Sequence, residues 1–202
     1  MKQTIKKYLL LLVSPLLMVG CRSAWSQGES RLINEAAYSR MRVTTIACEA
    51  DSLLLRTVCS PLTRKHIEAP EFGRLVASMI ETVMDPENEG VGIAAPQVGI
   101  LKRVVLVDTG DEILELINPE LIETSGEQTG LEGCLSVPGK YGIVTRPMIA
   151  KVRAQDREGN WYEAEGEELT ARCFCHELDH LDGIVYTEKM ERFLTEEELE
   201  EL

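Results

Sequence analysis

Basic side chains are scarce in this chain of 202 residues: 21 lysines and arginines stand against 34 aspartates and glutamates, a formal net charge of −13. Beyond the first few residues no Lys/Arg-rich run occurs. A nucleic-acid surface is therefore not expected, because phosphate binding draws on clustered basic groups. A long apolar run is missing too: "YLLLLVSPLLMVG" at 8–20 is short for a membrane span and is interrupted by Ser14 and Pro15. Internal repeats and low-complexity tracts are absent apart from the acidic ending "TEEELEEL". A 44% hydrophobic content is enough to bury one core and too little for two full domains.

The six cysteines, Cys21, Cys48, Cys59, Cys134, Cys173 and Cys175, would suggest a disulfide framework in a small exported protein. Here length dilutes them, and three lie close to residues that carry chemistry, so structural disulfides are not the expectation. Lys2, Lys6 and Lys7 precede the apolar run, and "LMVGC" resembles a lipoprotein cleavage box that would place lipid on Cys21. Alternatively, translation starts at Met41 and the leader is never made. Residues 22–40 are polar and read as a tether outside the core.

Phe72, Leu75, Val76, Met79, Ile80 and Val83 recur at helical spacing, predicting an amphipathic helix over 71–84 that "DPENEG" stops. "RVVLVD", "EILELIN" and "IAKVRAQD" are β-rich, and "DREGN" reads as a turn into "WYEAEG", so these segments predict antiparallel strands. "EELTARCFCHELDHL" has no glycine or proline before Gly183 and predicts a second helix.

Two of the three histidines, His176 and His180, sit four apart on that helix with Glu177 after the first. At i and i+4 both rings project from one face and can reach one cation. This H-E-x-x-H pattern supplies two ligands and a carboxylate able to handle the proton of a water. A catalytic metal needs a third ligand. Glu200 has a suitable downstream spacing, but it lies in an acidic run where almost any spacing meets a glutamate. Cys134, in "LEGCLSVPG", would offer a thiolate; a buried free thiol is the plainer reading of that residue alone. "GVGIAAPQVG", Gly90 to Gly99, allows close backbone approach but lacks the lysine and spacing of a phosphate loop.

Taken together and in order, "GVGIAAPQ", "EGCLS" and "HELDH" resemble the three signature motifs of bacterial peptide deformylase, over about Val43 to Met190. The resemblance implies an α+β fold with antiparallel sheets around the central H-E-x-x-H helix. It implies a catalytic domain at 41–190, preceded by a possible signal at 1–21 and the tether at 22–40, and followed by an acidic helix end at 191–202. The activity implied is removal of the formyl group from N-terminal formyl-methionine of nascent peptides, releasing formate. One divalent ion would be held by Cys134, His176 and His180, most often Fe2+ in this family, with Zn2+, Ni2+ or Co2+ also able to bind. Glu177 would move the proton, and the Gln97 amide and Leu135 N–H would steady the oxyanion. Val91 and Gly92 would pair with the peptide backbone, and Leu169 would line the methionine pocket.

Some residues depart from the family's usual pattern. Cys175 stands where many relatives have glutamine before the first histidine. Arg172 stands where relatives often have an apolar pocket residue, and is expected to point away. The acidic C-terminal end speaks against ribosome docking. His66 reads as exposed or capping, and Arg146 as structural or peptide-facing. The cellular address follows the start: cytoplasmic from Met41, membrane-anchored through Cys21 if the leader is used. An exported amidase of the same fold and a non-catalytic peptide binder are the alternative functions.

Overall fold

The computed structural model describes residues 23–88 and 90–200; the leader, with Cys21, lies outside the described residues. Within the segment read as a tether, the described residues 23–40 correct that reading. Ser26 caps helix α1 (Gln27–Ala36) in a capping box with Glu29, which gives two end N–H groups their partners. Trp25 and Ile33 are buried in the main core. Its mostly polar composition is what the tether reading rested on, and the two buried side chains that dock it are set by the core they meet.

Two short helices follow, α2 (Glu49–Leu55) and α3 (Arg64–Glu68), and then α4 (Pro70–Val83). Pro70 opens α4, where its missing N–H leaves no bond unmade. Phe72, Leu75, Val76, Met79 and Val83 are buried along one stripe as the spacing predicts. Each such burial is worth roughly 1.5–3 kcal/mol.

The strands are β1 (Gly92–Ala94), β2 (Val104–Asp108), β3 (Ile113–Ser125), β4 (Gln128–Gly133), β5 (Tyr141–Arg146), β6 (Ile149–Gln155) and β7 (Trp161–Glu167). Helix α5 (Glu168–Leu181) comes next, then β8 (Arg192–Phe193) and α6 (Glu196–Glu200). A five-stranded sheet has the order β1-β2-β3-β6-β7 and a second has the order β4-β5-β8; every pairing in both is antiparallel. Register shifts bend β3 between Ile117 and Glu120 and between Leu121 and Glu123. Asn118, at φ 50, occupies the first shift and ties Leu62 to Gln155 with its amide.

Helix α5 packs against β1, β2, β6 and β7 on one side and β5 on the other. It is the central element the resemblance implies, and the fold is α+β. The second sheet has no counterpart in the sequence reading, because Gly130, Gly133 and Gly142 break the alternation of β4 and β5. The C-terminal segment is also more than a helix end, since β8 pairs with β5 before α6 begins. Among the described residues no helix is long and apolar enough to cross a membrane.

Candidate metal centre and cleft

Two segments distant in sequence meet at the C-terminal half of α5. The Sγ of Cys134, on the loop after β4, and one ring nitrogen each from His176 and His180 all lie within 4.8 Å of one another. His180 Nε2 is 3.2 Å from the sulfur. His176 Nδ1 donates to Glu132 Oε2 at 3.0 Å, which orients the ring and leaves Nε2 for a ligand. One thiolate and two imidazoles form a set that suits a borderline divalent ion with a further position open. Glu177 Oε2, on a residue that lines the cleft, is buried without a hydrogen-bond partner, which fits a site that takes a further group.

Burial alone would push the Cys134 thiol up, but His180 and His176 outweigh it and hold the group well below its ordinary value. That direction favours the thiolate over the thiol. Glu177 goes the other way: burial pushes its carboxyl up to about 7, against the pull of the two histidines.

Glu132 is the residue the sequence reading missed. Its carboxylate accepts from Arg146 Nε at 2.8 Å and Nη2 at 3.0 Å, from Arg172 Nη1 at 2.9 Å, and from His176. Burial would raise its pKa, yet His176 and Arg146 bring it down to about 2. The available signal was its place as first residue of "EGCLS". Arg146 also donates to Asp179 at 2.6 Å, so its role is structural. Arg172 corrects an expectation: it does not point away to solvent. It is buried, lines the cleft, and donates also to the Val144 carbonyl at 3.1 Å. Gly130 makes room for it, since a Cβ there would stand 3.1 Å from Arg172 Nη2.

A cleft of about 440 Å3 opens beside the three ligands. Val91, Gly92, Gln97, Leu135, Leu169, Cys134, His176 and Glu177 all line it, while His180 is fully buried behind them. Gln97 is held by its Oε1, which accepts from Ala94 N at 2.8 Å, so its Nε2 points to Cys134 Sγ at 3.5 Å. Val91 and Leu169 are exposed at the rim. Strand β1 is an edge strand and can pair with an extended chain. Only glycine fits at 92, where a Cβ would lie 2.5 Å from Cys173 Sγ and 2.9 Å from Glu177 Oε1.

Cys175 is buried in the apolar cluster under α5 rather than in the cleft, and burial pushes its thiol up. Cys173, unlike Cys175, lines the cleft together with Cys134. His66 caps α3, accepting from Thr63 N at 3.0 Å, and meets Trp25 edge-on at 5.2 Å. Glu200 closes α6 and is not among the three grouped ligands. The described cysteines Cys48, Cys59, Cys134, Cys173 and Cys175 are all free.

This geometry has close counterparts. The polypeptide deformylase profile matches residues 43–196. A peptide deformylase of Agathobacter rectalis is 54% identical over 151 residues, covering 75% of this chain and 92% of that protein. The crystal structure of peptide deformylase from Thermotoga maritima superposes with a TM-score of 0.68 at 32% identity, over 76% of this chain and 99% of that one. A class I type b peptide deformylase from Acinetobacter baumannii, solved with Met-Ala-Ser bound, gives 0.68 at 32% identity over the same shares. With the three motifs folded around one centre and the match spanning most of its length, this chain belongs to the polypeptide deformylase family.

Proposed function

We propose that the cleft hydrolyses the formyl group from N-terminal formyl-methionine of newly made polypeptides, releasing formate and a free amine. One divalent ion, held by Cys134, His176 and His180, would act as a Lewis acid that makes water acidic and polarises the formyl oxygen. Fe2+ is the ion proposed, and Zn2+, Ni2+ and Co2+ are compatible with the same donors.

The chain's own groups do the rest. Glu177, buried and unpartnered at Oε2, takes the proton of the attacking water and delivers it to the departing amine. A carboxyl pushed up to about 7 is matched to both halves of that task. The Gln97 amide and the Leu135 N–H donate to the oxygen as it gains charge. The open edge at Val91 and Gly92 pairs with the peptide main chain, and Leu169 bounds the methionine side chain. The Met-Ala-Ser complex of the Acinetobacter baumannii relative supports a peptide as occupant. Formylated chains arise at the ribosome, so the proposed place of work is the cytoplasm. The acidic run Glu196–Glu198 makes the C-terminal end a poor dock for ribosomal RNA.

The convergence of three ligand atoms within 4.8 Å beside Glu177 carries this reading. Purified without oxygen and loaded with ferrous iron, the full chain should release formate from a formyl-methionyl peptide. A folded, metal-loaded protein with no turnover would refute the assignment.

A further inference from the structure

The family profile begins at residue 43, yet the residues just before it are bonded to the helix that leads into the cleft. Tyr38 N donates to Ser78 Oγ at 3.0 Å, and Met41 N donates to Thr82 Oγ1 at 2.9 Å. Ser78 and Thr82 lie one turn apart on α4, and both are fully buried on a face otherwise apolar. Hydroxyls in such a place need partners. Thr82 Oγ1 donates to the Ser78 carbonyl at 2.6 Å within α4, and the segment 38–41 supplies an N–H donor to each hydroxyl oxygen.

Arg40 extends the same seam beyond the end of α4. Its Nη1 reaches Asp85 Oδ2 at 2.5 Å and Glu87 Oε2 at 3.2 Å. Asp85 in turn organises the loop: its other carboxylate oxygen accepts from Glu87 N at 2.9 Å and its carbonyl from Asn88 N at 2.8 Å. Asn88 Nδ2 donates back to the Thr82 carbonyl at 2.6 Å. Glu87, Asn88 and Gly90 form the cleft rim that runs into Val91 and Gly92.

We infer that residues 38–41 are a strap that seats the rim residues 85–88 against the cleft, with Arg40 as a positioning residue for peptide binding. An exposed ion pair contributes little to global stability. Arg40, however, is the one side chain from outside α4 and the loop itself that hydrogen-bonds to the loop among its described residues 85–88, so its effect falls on the order of the rim. Catalytic groups on α5 are not touched by Arg40, and binding should change while the chemical step does not.

The kinetic part of the test rests on the deformylase reading; the exchange part does not. In the metal-loaded full chain, Arg40→Ala should raise KM for a formyl-methionyl peptide about 2- to 5-fold with kcat nearly unchanged, the range an exposed ion pair spans. Hydrogen exchange of the rim amides should quicken while that of the α4 interior stays the same. Arg40→Lys should recover part of both. KM and rim exchange equal to wild type would overturn the inference, as would equal loosening of α4 and rim. Should the wild type fail to turn over, the deformylase reading falls, and exchange alone decides the strap: a quickened rim supports it and an unchanged rim refutes it.

Discussion

Helices α4 and α5 are each 14 residues long and both are embedded in the core, but they are buried by different means. Helix α4 presents an apolar stripe to its neighbours and keeps charges outward. Helix α5 is buried on nearly all sides, with Arg172, His176, Glu177 and His180 inside. An apolar stripe is stabilised by burial alone, whereas buried charges need a partner for every group. Glu132 meets that need for two arginines and a histidine at once. A structural helix can therefore be recognised locally, while a catalytic one depends on residues far away in sequence.

The difference can be tested by breaking each helix in its own way. Glu177→Gln keeps shape and removes the proton carrier, so turnover should fall by about 10²–10⁴-fold. Metal content by elemental analysis should match wild type; retained turnover would sink the assigned role. Removing the hub with Glu132→Ala leaves Arg146, Arg172 and His176 without their shared anion. Urea unfolding should show a loss of about 3–5 kcal/mol, the range for a broken buried ion pair. Metal affinity should fall as well, because His176 loses its orienting acceptor.

Leu75→Ala on α4 should also destabilise, by about 2–5 kcal/mol for a leucine cavity. Here metal affinity and kcat should stay near wild type at temperatures where the variant is folded. A lost metal site would show that the helices are not separable in this sense.

The effect of pH is spread over a range rather than made by one substitution. Glu177 has a folded pKa of about 7 against an ordinary 4.5, so between those values the folded state holds more protons than the unfolded one. Stability of the metal-free protein should therefore fall as pH rises through that window. Glu132 has the opposite sign: its folded value of about 2 gives stability present above about 4.5 and lost as pH falls toward 2. Glu177→Gln should flatten the first slope and leave the second. An unchanged slope from pH 4.5 to 7 would show that Glu177 does not titrate there.

Helices α4 and α5 were legible because hydrophobic spacing and the absence of breakers act over a few turns. Strands β2, β3 and β6 were legible from β-rich runs, and β7 from the "DREGN" turn that precedes it. The sheet of β4, β5 and β8 was not, because its glycines are chosen for contacts: Gly130 for Arg172, Gly133 for Tyr141, Gly142 for Tyr186 and Met190. Nor was α1, whose place depends on Trp25 and Ile33 meeting a core built by later residues. Of the site, the ligands and Glu177 could be read from three motifs, whereas Glu132 as hub and the inward course of Arg172 could not.

By itself the sequence determined the family, the chemical identity of the centre, and the two long helices, because motif spacing and periodicity are local properties of the chain. Only the tertiary structure decided which carboxylate gathers the buried cations, where Arg172 goes, and that residues 23–40 join the core. Those outcomes turn on burial and on the pairing of charges and hydroxyls, and a buried group's partner is set by distance in space rather than along the chain.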